Sequence, residues 1–309
     1  MSLRRVGFTA VPPGAKPGFD HADTYLDRAG SRLYVAHTGA DRLDVIDCRT
    51  GRYLRALPDL PGVAGVLIHR GQRLLFTSDR AVARVGIFDL TDERLVAQVG
   101  VGPRPNALAY DPTRRNVFSF NLGEPIGTRC TASVVSVDET SLRATIALPG
   151  RPRWAVFDDA SDAVYVNIAD PPTIVVVGAA DLAVSRAITV AAAGPHGLAI
   201  VPERGGATLW CAADAGALVV IDRDSGETSC SLPLPGAPDV VMHDRERGRL
   251  YVAVGAPGTV SVFDTRRRTH LETVATEEGA HTIGWDPATG RLFVFQPRSS
   301  GVAIFEDSA

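Results

Sequence analysis

Lysine is almost missing from this 309-residue chain: Lys16 is the only one, so arginine supplies nearly all of the 32 basic residues. With abundant alanine and glycine, this reads as composition bias and points to no function. The arginines are interleaved with 35 acidic residues and the net charge is -3, which gives nucleic acid or an anionic membrane no electrostatic hold. Only four cysteines occur, Cys48, Cys130, Cys211 and Cys230, and no two of them form a Cys-x-x-Cys pair. Zinc ribbons and dithiol redox chemistry are therefore excluded, and four free thiols are expected. No apolar run approaches the roughly 18 residues of a membrane span. The opening MSLRRVGFTAVPPGAKPGFD carries a basic pair without an apolar core and cleavage site, so the cytoplasm is the expected compartment. Helix-period patterns are also lacking, which leaves β-structure to account for the chain.

What is present is a repeat. Seven segments share a shape: FDHADTYLD, GVAGVLIHR, RPNALAYDP, RPRWAVFDD, GPHGLAIVP, APDVVMHDR and GAHTIGWDP. After a polar turn each is followed by a second apolar run, such as RLYVAH, RLLFTS or RLFVFQ. The third residues of the first segments are His21, Ala64, Asn106, Arg153, His196, Asp239 and His281, spaced by 43, 42, 47, 43, 43 and 42 residues. Units of roughly 40 to 45 residues with several short strands are the signature of propeller blades. Within one unit, β-branched and aromatic runs separated by Gly, Asp and Pro predict four strands, at 21–26, 32–37, 42–47 and 52–57 in the first. The expected fold is all-β: one domain over residues 1–309, a seven-bladed β-propeller of four-stranded antiparallel blades.

The seventh unit ends at its third strand, GVAIFED, with no fourth. A strand-like segment at residues 4–10, RRVGFTA, precedes the first unit, and pairing it with 301–305 would complete the last blade and close the ring. The one lengthened period holds extra residues between Asn121 and Thr131. Two readings stand for them: a surface loop, or a rim over the central opening with Glu124 and Arg129 as polar contacts.

RLYVAHTGADRLDVIDCRTG at 32–51, LVVIDRDSG at 218–226 and RLYVAVGAPGTVSVFD at 249–264 resemble the repeats of the YVTN family of seven-bladed propellers. The resemblance extends over nearly the whole chain and implies the fold. It leaves function open, because this architecture hosts binding proteins and unrelated enzymes.

The first strand of each blade lines the central channel, so the seven aligned residues form a ring at one mouth. Since blade seven adjoins blade one, His196, Asp239, His281 and His21 fall on one arc and are the candidate metal ligands. A divalent ion (zinc, manganese, iron or magnesium) is the expected cofactor there. His37, at the end of a second strand, is a candidate fourth imidazole and general base. Across the ring, Asn106 is placed to orient a polar group and Arg153 to clamp an anion, beside space left by Ala64. These two complete the candidate catalytic set with His37. Trp154 is either an apolar wall of the site or a core residue, and Asp20 and Asp23 are candidates to orient imidazoles. A second reading of the same ring is a solvated polar mouth without chemistry. His69, His243 and His270 fall elsewhere in the repeat and are expected at the surface, the first two on the opposite face.

The ring also has some likeness to streptogramin (virginiamycin B) lyases, which are propellers with a His- and Glu-bound magnesium at the mouth. His281 takes the place of the first ligand. Gln296 stands near the second, and Gly279 replaces a carboxylate of that family, with Glu278 one step away. Propeller lactonases are a weaker likeness, through GPHGLAI at 194–200. The expectation is a small-molecule site for an anionic substrate, as a metal-dependent lyase, lactonase or isomerase; the alternative is a non-catalytic YVTN propeller binding a protein or ligand. A monomer, with neither nucleic acid nor membrane as partner, completes it.

Overall fold

Each repeat unit folds as a four-stranded antiparallel meander, and seven such blades stand around a central channel in the computed structural model, which describes residues 3–307. The four strands expected in blade one are present, at Ala22–Asp27, Gly30–His37, Arg42–Asp47 and Tyr53–Leu57, each starting and ending within two residues of its expected bounds. First strands touch first strands all the way round, including blade seven against blade one. Among the described residues no helix is long and apolar enough to cross a membrane.

The middle strands explain why the chain commits to blades. Leu74–Asp79, Asn116–Asn121 and Arg249–Val254 are buried along their whole length, because each blade is covered on both faces by its neighbours. Seven apolar clusters result among the described residues, one at each blade interface. Between blades one and two, for example, Tyr34, Leu43 and Val45 pack on Val63, Val66 and Leu75. At about 25 cal/mol per Å2 of apolar surface removed from water, these seams are the main favourable term. The four cysteines are free thiols, and three of them are buried in this packing.

Outer strands share an irregularity. In all seven blades the pairing of the last two strands skips one residue of the outermost strand: Val6, Leu54, Val96, Arg143, Ser185, Ser229 and Leu271 are the residues left out. Four of these, Val6, Leu54, Val96 and Leu271, are among the exposed large apolar residues.

The expected closure is present and slightly longer than the sequence suggested: Leu3–Ala10 pairs antiparallel with Gly301–Asp307. This strand also ties blade seven to both neighbours. The Leu3 amide donates to Glu272 of blade six at 2.7 Å, and the Thr9 hydroxyl donates to the Gly51 carbonyl of blade one at 2.5 Å. Deleting residues 1–10 removes a whole strand and both ties. The expected outcome is a melting temperature lower by roughly 10 °C or more; calorimetry showing an unchanged transition would mean that the ring closes without it.

Candidate functional site

The ring residues reach the mouth because the first strand breaks its ladder there. Ala64, Asn106, Arg153, His196 and Asp239 all lie where pairing with the second strand skips register. In four of these blades a proline stands immediately before, Pro105, Pro152, Pro195 and Pro238. Proline has no N–H for the ladder, so the chain leaves it at that point and the next side chain is freed from the sheet. Glycine then lets adjacent blades close up: a Cβ at Gly65 would lie 2.3 Å from the Asn106 carbonyl oxygen, and one at Gly197 2.3 Å from that of Asp239.

His196 is the centre of the arrangement. Its Nδ1 lies 2.9 Å from Asp214 Oδ1 and its Nε2 3.2 Å from Asp239 Oδ1, so two carboxylates hold one ring. Burial acts to lower its pKa, but the Asp239 charge and the hydrogen bonds to Asp214 and Asp239 outweigh it and raise the value to about 9. The imidazolium in turn holds Asp239 well below the usual carboxylate range, against the opposing effect of burial. Arg153 joins from blade four, with Nη2 3.3 Å from Asp214 Oδ2 and Nη1 3.2 Å from His196 Nε2. With His196 protonated, the last contact is between two donors, held together by the shared Asp214.

The other expected ligands are differently occupied. His281 directs Nδ1 to the Gly279 carbonyl at 2.8 Å and Nε2 to the Phe19 carbonyl at 3.1 Å. His21 places Nδ1 3.1 Å from the Ala64 carbonyl and 3.4 Å from Asp20 Oδ1; burial first of all lowers its pKa, against the Asp20 and Asp239 charges. Among the described residues no group of three or more His, Cys, Asp and Glu side chains converges as a metal site. His37 is not brought to the ring: it is buried, its Nδ1 2.7 Å from Asp44 Oδ2, with Arg42 on the other oxygen of that carboxylate. Asp23 is likewise turned away, accepting from the Ile68 amide at 2.8 Å, whereas Asp20 lies at the mouth.

The opposite arc holds more charge than the sequence reading found. A mouth cavity of about 270 Å3 is lined by Arg80, Arg104, Arg151 and Arg153 together with Asp20, Asn106, His196 and Asp239. Arg80 pairs with Asp20 at 2.9 Å and donates to the Asn106 side-chain oxygen; Arg104 pairs with Glu124 at 2.6 Å. Arg151 has no ion pair and no side-chain hydrogen bond among the described residues. Burial, and then the neighbouring Arg153 charge, hold its pKa below the ordinary value despite Asp214, and Arg80 adds to this. The Nε atoms of Arg80, Arg151 and Arg153 are all buried without an acceptor among the described residues. Leu122 and Ile126 of the lengthened segment also line this cavity, so the segment forms a rim, with Glu124 paired to Arg104 and Arg129 donating to the Glu124 carbonyl.

Beneath the mouth lies a second cavity of about 360 Å3 along blades two to four, walled by Val66, Leu67, Ala107, Ala155, Val156 and Phe157. The two cavities share His21 and Trp154, whose rings meet edge to face across the channel at 4.4 Å. Trp154 is thus a wall of the site as well as a contributor to the core. His69 and Asp159 lie at the far end, which places His69 on the opposite face as expected. Neither His69 nor His243 is a plain surface residue: the His69 Nδ1 is buried, and burial pushes the His243 pKa down to about 4. His270 is exposed on its outer strand.

No protein-family model matches this chain, and no curated protein matches its sequence. Among solved structures it is similar to a chain of hydrazine synthase from Kuenenia stuttgartiensis, with a TM-score of 0.82 and 12% identity over 96% of this chain and 97% of that one. The chain is a seven-bladed β-propeller. At this identity the likeness shows the fold alone.

The raised His196 pKa has a sign that can be measured. Its stabilising contribution is fully present below the unfolded value near 6.5 and is lost as pH rises through about 9. Wild type should therefore lose stability relative to His196→Gln between pH 6.5 and 9.5, by roughly 1–3 kcal/mol in chemical denaturation. Parallel pH profiles would show that His196 is not the charged centre of the mouth.

Proposed function

We propose that this protein is a ligand-binding propeller of YVTN type whose mouth seats a small organic monocarboxylate. The observation that carries this reading is the convergence of Arg80, Arg104, Arg151 and Arg153 on the mouth cavity, where the Arg151 guanidinium has no ion pair and no side-chain hydrogen bond among the described residues. A partly buried guanidinium is normally paired, and a planar carboxylate matches guanidinium geometry. The charge count favours one negative charge. Arg80, Arg104, Arg151, Arg153 and the His196 imidazolium face Asp20, Glu124, Asp214 and Asp239, which leaves one positive charge uncompensated. Arg151 supplies that charge, Asn106 positions Arg80, and His196 holds Asp214 and Asp239 in place. The YVTN-like repeats at 32–51, 218–226 and 249–264 accord with a binding module.

A lyase, lactonase or isomerase reading rests on a divalent cation that polarises a carbonyl. A cation on the imidazole arc would first have to break the hydrogen bonds that join Asp214, His196 and Asp239. An anion on Arg151 leaves those bonds in place.

Calorimetric titration of chelator-treated protein with acetate and with inorganic phosphate is the test. Acetate should bind at millimolar concentration and more tightly than phosphate, and Arg151→Leu should weaken it tenfold or more, from loss of a charge-assisted pair worth about 1.5–3 kcal/mol. Binding that appears only after zinc or manganese is added would return the site to the metal-dependent reading, and no binding of either anion would end the proposal.

A further inference from the structure

The apolar cavity beneath the mouth is not used by the carboxylate reading, yet it adjoins the arginine-lined cavity at the His21–Trp154 ring contact. We infer that the ligand is an amphipathic monocarboxylate, with its head on Arg80, Arg151 and Arg153 and an unbranched or aryl apolar body lying past Trp154 in the shaft. This rests on the anion site proposed above and extends it to a ligand class.

Three observations lead there. The first is adjacency, since His21 and Trp154 belong to the linings of both cavities. The second is the nature of the partition. His21 is anchored by its contact with the Ala64 carbonyl, while no hydrogen bond fixes the Trp154 indole among the described residues. The indole is held by its edge contact with His21 and by packing, with open space beneath it, so it is the group that yields to a ligand. The third is polarity along the shaft. Ala107, Ala109 and Ala155 make room, while Val66, Leu67 and Val156 supply apolar walls. Burying methylenes in such a space is favourable by the ordinary hydrophobic increment.

The far end sets a limit on the tail. Asp159 is exposed there and has no ion pair or hydrogen bond among the described residues; His69 feels its charge and that of Arg115, which is already paired with Asp138. A second carboxylate on the distal end of the ligand would meet like charge. The class is therefore monoacids and excludes diacids that span the shaft.

The experiment is a chain-length series: acetate, butanoate, hexanoate, octanoate, octanol and octanedioate, titrated into the whole protein by calorimetry. Affinity should rise about threefold to fourfold per methylene from acetate onward, and octanol and octanedioate should both bind more weakly than octanoate. Leu67→Phe and Val156→Phe, both at half-buried positions on the shaft, should cut the octanoate advantage tenfold or more while acetate affinity stays unchanged. If acetate binds and octanoate binds no better, the inference falls while the anion site stands. If neither binds, both fall. Should the two shaft variants fail to fold, 8-bromooctanoate located by anomalous scattering in crystals replaces them: bromine beside Val156 supports the inference, and bromine in solvent above the mouth overturns it.

Discussion

A ring of blades has no strong bond across its centre, so the spacing of its seven first strands is held only while the last blade is complete. That blade draws its strands from both ends of the chain, with Leu3–Ala10 laid against Gly301–Asp307. Residues nearly three hundred positions apart are thereby fixed as neighbours, and the interface of blades seven and one can form: Phe19, Leu33 and Val35 against Phe293, Phe295 and Ile304. His21 and His281 belong to those two blades. Their positions at the mouth depend on closure as much as on their own strands.

Charge at the mouth follows from what burial permits. A desolvated ion is tolerated when paired and hydrogen-bonded. His196 meets this condition twice over, through Asp214 and Asp239, and Arg80 meets it through Asp20. Arg151 does not, and it stands beside two more guanidinium groups. Like charges in a partly desolvated pocket repel, and an external anion is the simplest means by which that repulsion is relieved. The uneven distribution, with Arg151 unpaired among ions that are otherwise matched, makes the mouth electrostatically asymmetric.

The fold was legible in the sequence because its cause is periodic. Backbone position repeats every blade, so aligning seven first segments located the ring, and the missing fourth strand after Phe305 located the closure. Side-chain direction is not periodic. The alignment brought His196, Asp239, Arg153 and Asn106 to one mouth, but nothing in it showed that both His281 nitrogens would turn to backbone carbonyls or that His37 would be held by Asp44. Asp214 and Arg80 were missed because they lie just beyond second strands, in loops that were not aligned. Arg104 and Arg151 were missed because they sit two residues ahead of the ring positions. Reading the same alignment two residues ahead would have found Arg104 and Arg151. His69 was misread as a surface residue because a position at the far end of a first strand still faces the channel.

The skipped residue in every outermost strand bears on how whole molecules meet. A regular strand at the rim would offer seven ready ladders to the backbone of another chain. Each rim strand is instead kinked at one residue, with Val6, Leu54, Val96 and Leu271 turned outward at the kinks in four blades. A kinked ladder cannot be extended in register for more than a few residues. Apolar side chains are thus displayed around the circumference without an accompanying template for strand addition, which separates surface stickiness from the fibre-forming association that open β-edges invite.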